Sequence, residues 1–218
     1  MSAAAQATTR GKFISLEGGE GAGKSTLLAG LRQAIVQRGI RLVQTREPGG
    51  TQLGEAARAI VLDPAQRGLT AEAELLLMFA SRAQLVREVI APALDTGQWV
   101  LCDRFADASY AYQGGGRGQP VERIAELERW ACDGLKPDLT LLLDLPIATG
   151  RARAAGRGEA DRIEAEADAF FERIRSTYRE RAAAEPERFR VIDASQSPAD
   201  VLNAATQAIA GLFEGVPL

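Results

Sequence analysis

The sequence predicts an α/β fold in which a five-stranded parallel sheet is covered by helices on both faces. Three observations carry this expectation. Five short apolar runs alternate with segments of helical periodicity along the chain. One of those runs, 139–145, is apolar almost throughout, as a strand buried on both faces must be. A glycine-rich stretch joins the first run to the first helical segment, and open α/β sheets bind their ligands at such strand ends.

The elements follow in order. Phe13–Leu16 is a short strand leading into the glycines. From Lys24 to about Arg38, Leu27, Leu28, Leu31, Ala34 and Ile35 recur at helical spacing, and Gly39 ends the helix. Arg41–Thr45 is the second strand. Pro48-Gly49-Gly50 forms a loop before a helix over about Leu53–Leu62. A long helix runs from Glu72 to about Leu94, with an interruption expected at Pro92. Trp99–Cys102 is a strand ending at Asp103. Pro120 opens a helix that continues to about Asp133. After the apolar strand 139–145 comes a polar break around Arg157-Gly158, then a helix over about Glu164–Ala184. Phe189–Ile192 is the last strand and Pro198–Phe213 the last helix.

The length, 218 residues, fits one domain. Residues 1–10 are small and polar and read as a disordered tail, leaving 11–218 as a single domain. The net charge is −3, from 26 basic and 29 acidic residues, which is not the basic footprint of a nucleic-acid binder. No run approaches the roughly 18 apolar residues of a membrane span. Two cysteines and the lack of an apolar leader suggest reduced thiols in the cytoplasm. The chain contains no histidine, which removes His-based triads, His zinc sites and a His general base together.

Gly18-x4-Gly23-Lys24-Ser25 matches the phosphate-binding P-loop in full, with a strand before it and a helix after it. Gly18, Gly19, Gly21 and Gly23 let the backbone turn its N–H groups inward, with Glu20 and Ala22 between them. The helix that follows, beginning Lys24-Ser25-Thr26, offers its positive end to a triphosphate. Lys24 reaches the β- and γ-phosphates, and the Ser25 hydroxyl is placed to ligate Mg²⁺.

Asp103-Arg104 ends the third strand, beside the P-loop in a parallel sheet. Asp103 suits Mg²⁺ and Arg104 a phosphate, although a strand-end salt bridge is the bland alternative. Ser109, Tyr112 and Gln113 precede three glycines and suit a ring and a sugar, or simply a loop. Glu47 follows the second strand. Arg58 lies on the next helix, where a solvated face is equally open. Met78 and Phe79 precede Arg82 by one helical turn, so one helix face carries an apolar surface and a cation. Arg151, Arg153, Arg157 and Arg162 cluster near Gly156 and Gly158. Such a basic segment can close over a transferring phosphoryl group, or it can be a solvated charge run.

Taken together, Glu-Gly-Gly-Glu-Gly-Ala-Gly-Lys-Ser-Thr at 17–26, Thr-Arg-Glu-Pro-Gly-Gly-Thr at 45–51, Cys-Asp-Arg-Phe at 102–105, Ala-Tyr-Gln-Gly-Gly-Gly-Arg-Gly at 111–118 and Asp-Arg-Ile-Glu at 161–164 resemble bacterial thymidylate kinases. The resemblance runs from about Lys12 to the last helix. It implies the P-loop nucleoside monophosphate kinase fold with a short basic lid at about 150–162. It also implies ATP as donor, thymidine 5′-monophosphate (dTMP) as acceptor, Mg²⁺, and a homodimer formed through helices on one side of the sheet. Carried over by position, Arg104 and Arg58 hold the acceptor phosphate and Arg82 bonds a thymine carbonyl. Ser109 and Gln113 contact the base, Tyr112 packs near the deoxyribose, and Glu20 and Glu47 lie near the sugar and its hydroxyl. The P-loop contains no arginine, which resembles the layout in which the lid supplies the catalytic cation: Arg157 first, Arg153 second. The family commonly stacks thymine on a phenylalanine four residues before the helix arginine. Met78 stands there and Phe79 comes next, so either of the two can cover the base. Asp193–Gln196 is a candidate adenine loop.

A monophosphate acceptor suits a histidine-free chain. Its second pKa is about 6, so its oxygen is largely ionised at neutral pH and needs no general base. Another nucleotide or nucleoside kinase of this fold is the nearest rival, and a regulatory P-loop switch is a more distant one.

Overall fold

The computed structural model describes residues 10–155 and 160–214. Five strands, β1 (Phe13–Gly18), β2 (Leu42–Arg46), β3 (Trp99–Asp103), β4 (Leu139–Asp144) and β5 (Phe189–Asp193), form one sheet in the order β2-β3-β1-β4-β5. All four pairings are parallel. The register pairs Leu16 and Arg46 with Asp103, Gly18 with Leu143, and Asp144 with Asp193. The sequence's chemistry-bearing strand ends therefore come out along one edge, with β1 between its two neighbours.

Alternation along the strands divides the core. Ile14, Leu16, Trp99, Leu101, Leu139, Leu141 and Leu143 pack on one face against Leu27, Leu28, Leu31 and Ile35 of α1 (Lys24–Val36) and Val201 and Ala205 of α9 (Pro198–Ala208). Phe13, Val100 and Cys102 face the other way, onto Leu75, Phe79 and Leu85 of α3 (Ala71–Leu85) and Ile124 of α6 (Val121–Cys132). Farther along that face, Leu142 and Phe189 meet Phe170, Phe171, Ile174 and Tyr178 of α8 (Asp168–Ala184). Each buried Val, Leu, Ile or Phe among them contributes about 1.5–3 kcal/mol before entropy is counted.

Three boundaries differ from the sequence expectation, each for a local reason. The helix expected to break at Pro92 changes earlier: α3 passes into a π turn, Val86–Ile90, before α4 (Ala91–Asp95). A widened turn accommodates a proline ring that would otherwise press on the carbonyl four residues back. The helix expected from Glu164 begins at Asp168. Asp161 accepts the N–H groups of Ile163 and Glu164 on its Oδ1, at 2.9 and 2.8 Å, and holds that stretch as a turn.

The three glycines 114–116 are the third difference. They are not a free loop but the end of a buried π segment, Tyr110–Gly116, that follows the short α5 (Ala106–Ser109). A Cβ on Gly115 would stand 2.2 Å from Thr177 Oγ1, and one on Gly116 would stand 2.5 Å from the Phe170 ring. The glycines are there so that α8 can lie directly on this backbone. A helix that the sequence reading missed, α7 (Ile147–Ala154), packs Gly150 on the P-loop, where a Cβ would meet the Glu20 carbonyl at 2.5 Å. The remaining helix, α2 (Gln52–Leu62), starts at Thr51, whose hydroxyl accepts the Gly54 N–H at 3.0 Å.

Candidate active site

The phosphate loop takes the backbone that its glycines permit. Gly18, Gly21 and Gly23 have φ of 139°, 70° and 89°. Gly23 is the N-cap of α1 and supplies no capping side chain, so the first N–H groups of the helix are left to an external acceptor. Lys24 Nζ folds back over the loop and donates to the Gly18 and Gly19 carbonyls at 3.1 and 2.9 Å. Burial, and then the nearby Arg104, push its ammonium below the ordinary lysine value.

Arg104 enters from the end of β3 with a left-handed backbone, φ 70°. Its Nη1 donates to the Gly18 carbonyl at 2.9 Å and to Tyr178 Oη at 3.2 Å. Its Nη2 donates to Glu20 Oε1 at 2.7 Å. The guanidinium lies 4.7 Å from the Tyr112 ring centroid, and Tyr112 Oη donates to the same Glu20 oxygen at 2.9 Å.

These groups line one cavity of about 220 Å³. Its wall contains the loop from Glu20 through Ser25, Asp103 and Arg104 at the end of β3, Glu47 after β2, Arg58 on α2, Met78 on α3, and Tyr112 and Gln113 on the π segment. Arg58 donates to the Pro48 carbonyl at 3.2 Å. Three side-chain oxygens among the lining residues are buried without a hydrogen-bond partner: Glu47 Oε1, Asp103 Oδ1 and Gln113 Oε1. Buried polar atoms are nearly always satisfied, so unmatched acceptors in a cavity wall point to a ligand or cation that would satisfy them.

A cavity at the strand ends lined by a P-loop and two arginines is a nucleotide-handling geometry. Comparison with known proteins specifies it. The family model described as Thymidylate kinase matches residues 16–205. A thymidylate kinase of Halorhodospira halophila is 54% identical over 213 residues, spanning 97% of this chain and 98% of that protein. One from Alkalilimnicola ehrlichii is 56% identical over 203 residues, 93% and 94% of the two chains. One from Pseudomonas syringae pv. tomato is 54% identical over 204 residues, 94% and 97% of the two chains.

The chain belongs to the thymidylate kinase family.

Within this thymidylate kinase frame, not every expected residue reaches the cavity. Met78 lines it, whereas Phe79 turns into the core with the Arg82 guanidinium 4.4 Å from its ring centroid. Arg82 and Ser109 lie in the layer behind the wall. Arg82 is 0% exposed, and a guanidinium so deeply buried needs partners. Its Nε donates to Glu47 Oε2 at 2.8 Å, with Nη2 forming an ion pair to the same oxygen at 2.7 Å, Nη1 donates to Ser109 Oγ at 3.0 Å, and Nη2 donates to the Phe105 carbonyl at 3.1 Å. Gly18 and Gly19 line a small adjoining pocket, and Thr26 is exposed on α1. Arg153 donates to the Ala194 carbonyl at 2.9 Å, so it stands against the 193–196 loop and away from the cavity. Arg157 lies outside the described residues.

Sequence reasoning missed the residues that hold the wall from behind. Glu17 is 0% exposed and accepts the Phe105 N–H and the Tyr178 hydroxyl, both at 2.7 Å. Burial, and then the neighbouring Asp107, push its carboxyl up to about 8. Asp107, also buried, is paired with Arg181 and Arg188 at 2.6 and 2.7 Å. The one available signal was that glutamate and aspartate stood inside otherwise apolar segments. Asp161, Ile163 and Glu164 complete the cavity lining from the turn before α8.

Glu17 makes stability depend on pH. Its folded value lies above its ordinary 4.5, so its contribution is fully present below 4.5 and is lost as pH rises through about 8. Urea denaturation from pH 5 to 9 should show wild-type stability falling relative to Glu17→Gln, with up to about one proton released on unfolding. Parallel pH profiles would contradict the assignment.

Proposed function

We propose that this chain transfers the γ-phosphoryl group of ATP to dTMP, forming thymidine 5′-diphosphate for DNA precursor synthesis. One observation supports this most: Lys24 and the P-loop, Arg104 and Arg58 all line a single cavity. A P-loop lysine and two further arginines in one enclosure suit a donor and an acceptor that both carry phosphate.

In this reading the residues from Gly18 to Thr26 hold the donor's phosphates, and Arg104 and Arg58 fix the acceptor phosphate. Met78 covers the base, which its thioether can do as a soft apolar surface. Gln113 reads the ring, while Arg82 and Ser109 brace that end from behind. Tyr112 packs beside the sugar. Glu47 Oε1, together with Glu20, suits a sugar hydroxyl as donor. The ionised acceptor oxygen attacks in line and no protein base takes a proton. Catalysis is then positioning and charge neutralisation. The residues fit Mg²⁺: Ser25 and Asp103 face one cavity, and a buried Asp103 oxygen has no partner. When bound, the ion would neutralise phosphate charge. The sequence resemblance assigns the lid cation to Arg157, with Arg153 second.

The homodimer is supported by Leu53 and Ile60 on α2, Leu76 on α3, and Val121 and Trp130 on α6, large apolar side chains that are 41–82% exposed on helices packed side by side. No helix among the described residues is long and apolar enough to cross a membrane. The two buried free cysteines and the slight negative charge fit a cytoplasmic enzyme without a nucleic-acid partner.

A coupled assay across thymidylate, uridylate, guanylate and thymidine tests the reading. Thymidylate should be the best acceptor by kcat/KM, and a preference for thymidine would overturn the phosphate-clamp roles. Arg157→Ala should lower kcat by about 10²-fold or more while the acceptor KM changes little; a kcat within about twofold of wild type refutes that role. Sedimentation should give a dimer that Trp130→Glu shifts toward monomer, and a wild-type monomer would remove the dimer proposal.

A further inference from the structure

Glu74 lies on α3, one turn before Met78, and is 1% exposed. Its Oε1 accepts Gln113 Nε2 at 2.9 Å. Oε2 receives Arg117 Nε at 3.2 Å and also Arg162 Nη2, and the same Arg117 Nε makes a longer bond, 3.4 Å, to Oε1. Two guanidiniums thus compensate one buried carboxylate. Arg162 is itself anchored: its Nε donates to the Val61 carbonyl at 2.7 Å, and its backbone N–H donates to the Leu62 carbonyl at 3.0 Å. The arrangement joins α2, α3, the π segment and the turn before α8 behind the cavity wall.

An ionised carboxylate can only accept hydrogen bonds, whereas an amide has a donor end and an acceptor end. Contact with Glu74 therefore fixes which end of Gln113 is spent on the protein. The NH₂ goes to Glu74, and Oε1 is left without a partner on a residue that lines the cavity. A thymine ring offers N3–H as a donor, while a cytosine ring offers a lone pair at the same atom.

We propose that Glu74 is a positioning residue that sets the donor–acceptor sense of Gln113, and so selects pyrimidines that carry N3–H, with Arg117 and Arg162 holding Glu74 in place. The proposal rests on the reading of the acceptor as thymidylate. It makes a directional claim about Glu74→Gln. The carbonyl of the new amide will turn toward Arg117 and Arg162, because both are donors only. Its NH₂ then faces Gln113, which must accept and present its own NH₂ to the base.

The test measures kcat/KM for dTMP and for 5-methyldeoxycytidine monophosphate, which keeps the methyl group and reverses the N3 sense. In Glu74→Gln the ratio of the two should fall on the order of tenfold or more, from loss of one acceptor and gain of a mismatched donor. In a Gln113→Leu background the same Glu74→Gln change should leave the ratio unmoved, because the amide it acts through is gone. A purely structural Glu74 would lower activity toward both acceptors and leave the ratio where it was, which would overturn the proposal. Glu74→Gln/Arg162→Gln, which removes the uncompensated cation, carries the same expectation should the single variant not fold. A wild-type enzyme inactive on dTMP would instead strike at the functional reading beneath it.

Discussion

Arg104 is the point on which the site depends. A non-glycine residue at φ 70° carries a cost of roughly 1 kcal/mol or more, and the strain persists because the surroundings over-determine it. Its N–H donates to the Leu16 carbonyl of β1 at 2.9 Å, which turns the chain off β3 beside the phosphate loop. Its guanidinium then reaches the Gly18 carbonyl, Glu20 and Tyr178, and lies over Tyr112. One residue thus joins β3 to β1, to the loop and to α8. Moving it would move both walls of the cavity at once.

Behind that residue, the structure confines its buried carboxylates to one layer and gives each a cation, hydroxyl or amide. Glu17 holds Tyr178 and the Phe105 N–H, Glu47 holds Arg82, Glu74 holds Arg117, Arg162 and Gln113, and Asp107 holds Arg181 and Arg188. Buried pairs of this kind add little net stability over apolar packing, yet losing one partner strands the other at several kcal/mol. Their value lies in geometry. They permit few arrangements, so the side chains that face the cavity inherit fixed positions from the layer behind them.

This division explains what could be read from the sequence. The shared binding edge was legible, though the strand order was not, because parallel strands place Gly18, Arg46, Asp103 and Asp193 at equivalent ends, and each sits at the end of an apolar run. The P-loop was legible because backbone chemistry demands glycine at fixed spacing. Met78 and Phe79 could not be separated by periodicity, since both fall within one turn of Arg82; the packing of Phe79 beneath the guanidinium separates them. Glycines 114–116 looked like a flexible run because the sequence does not show that α8 will press on them. The carboxylate layer was the least legible part. Glu74 and Arg162 are 88 residues apart and look like ordinary helix and loop charges until the fold buries them together.

The cations of the cavity already have acceptors, and this bears on how phosphate would be gripped. Lys24 donates to two carbonyls of the loop, Arg104 to one of those carbonyls and to Glu20, and Arg58 to the Pro48 carbonyl. Most of these acceptors are neutral, and a charged phosphate oxygen forms a hydrogen bond roughly twice as strong. Binding phosphate is therefore an exchange of acceptors rather than the pairing of bare charges. It requires little new desolvation of the cations, since burial has already lowered the lysine's preference for charge and enclosed the arginine. Glu20 is the exception: as a carboxylate on Arg104, it competes with an incoming phosphate on nearly equal terms. The loop residue that looks least necessary for cradling phosphate is thus the one charged acceptor that a phosphate on Arg104 would have to displace.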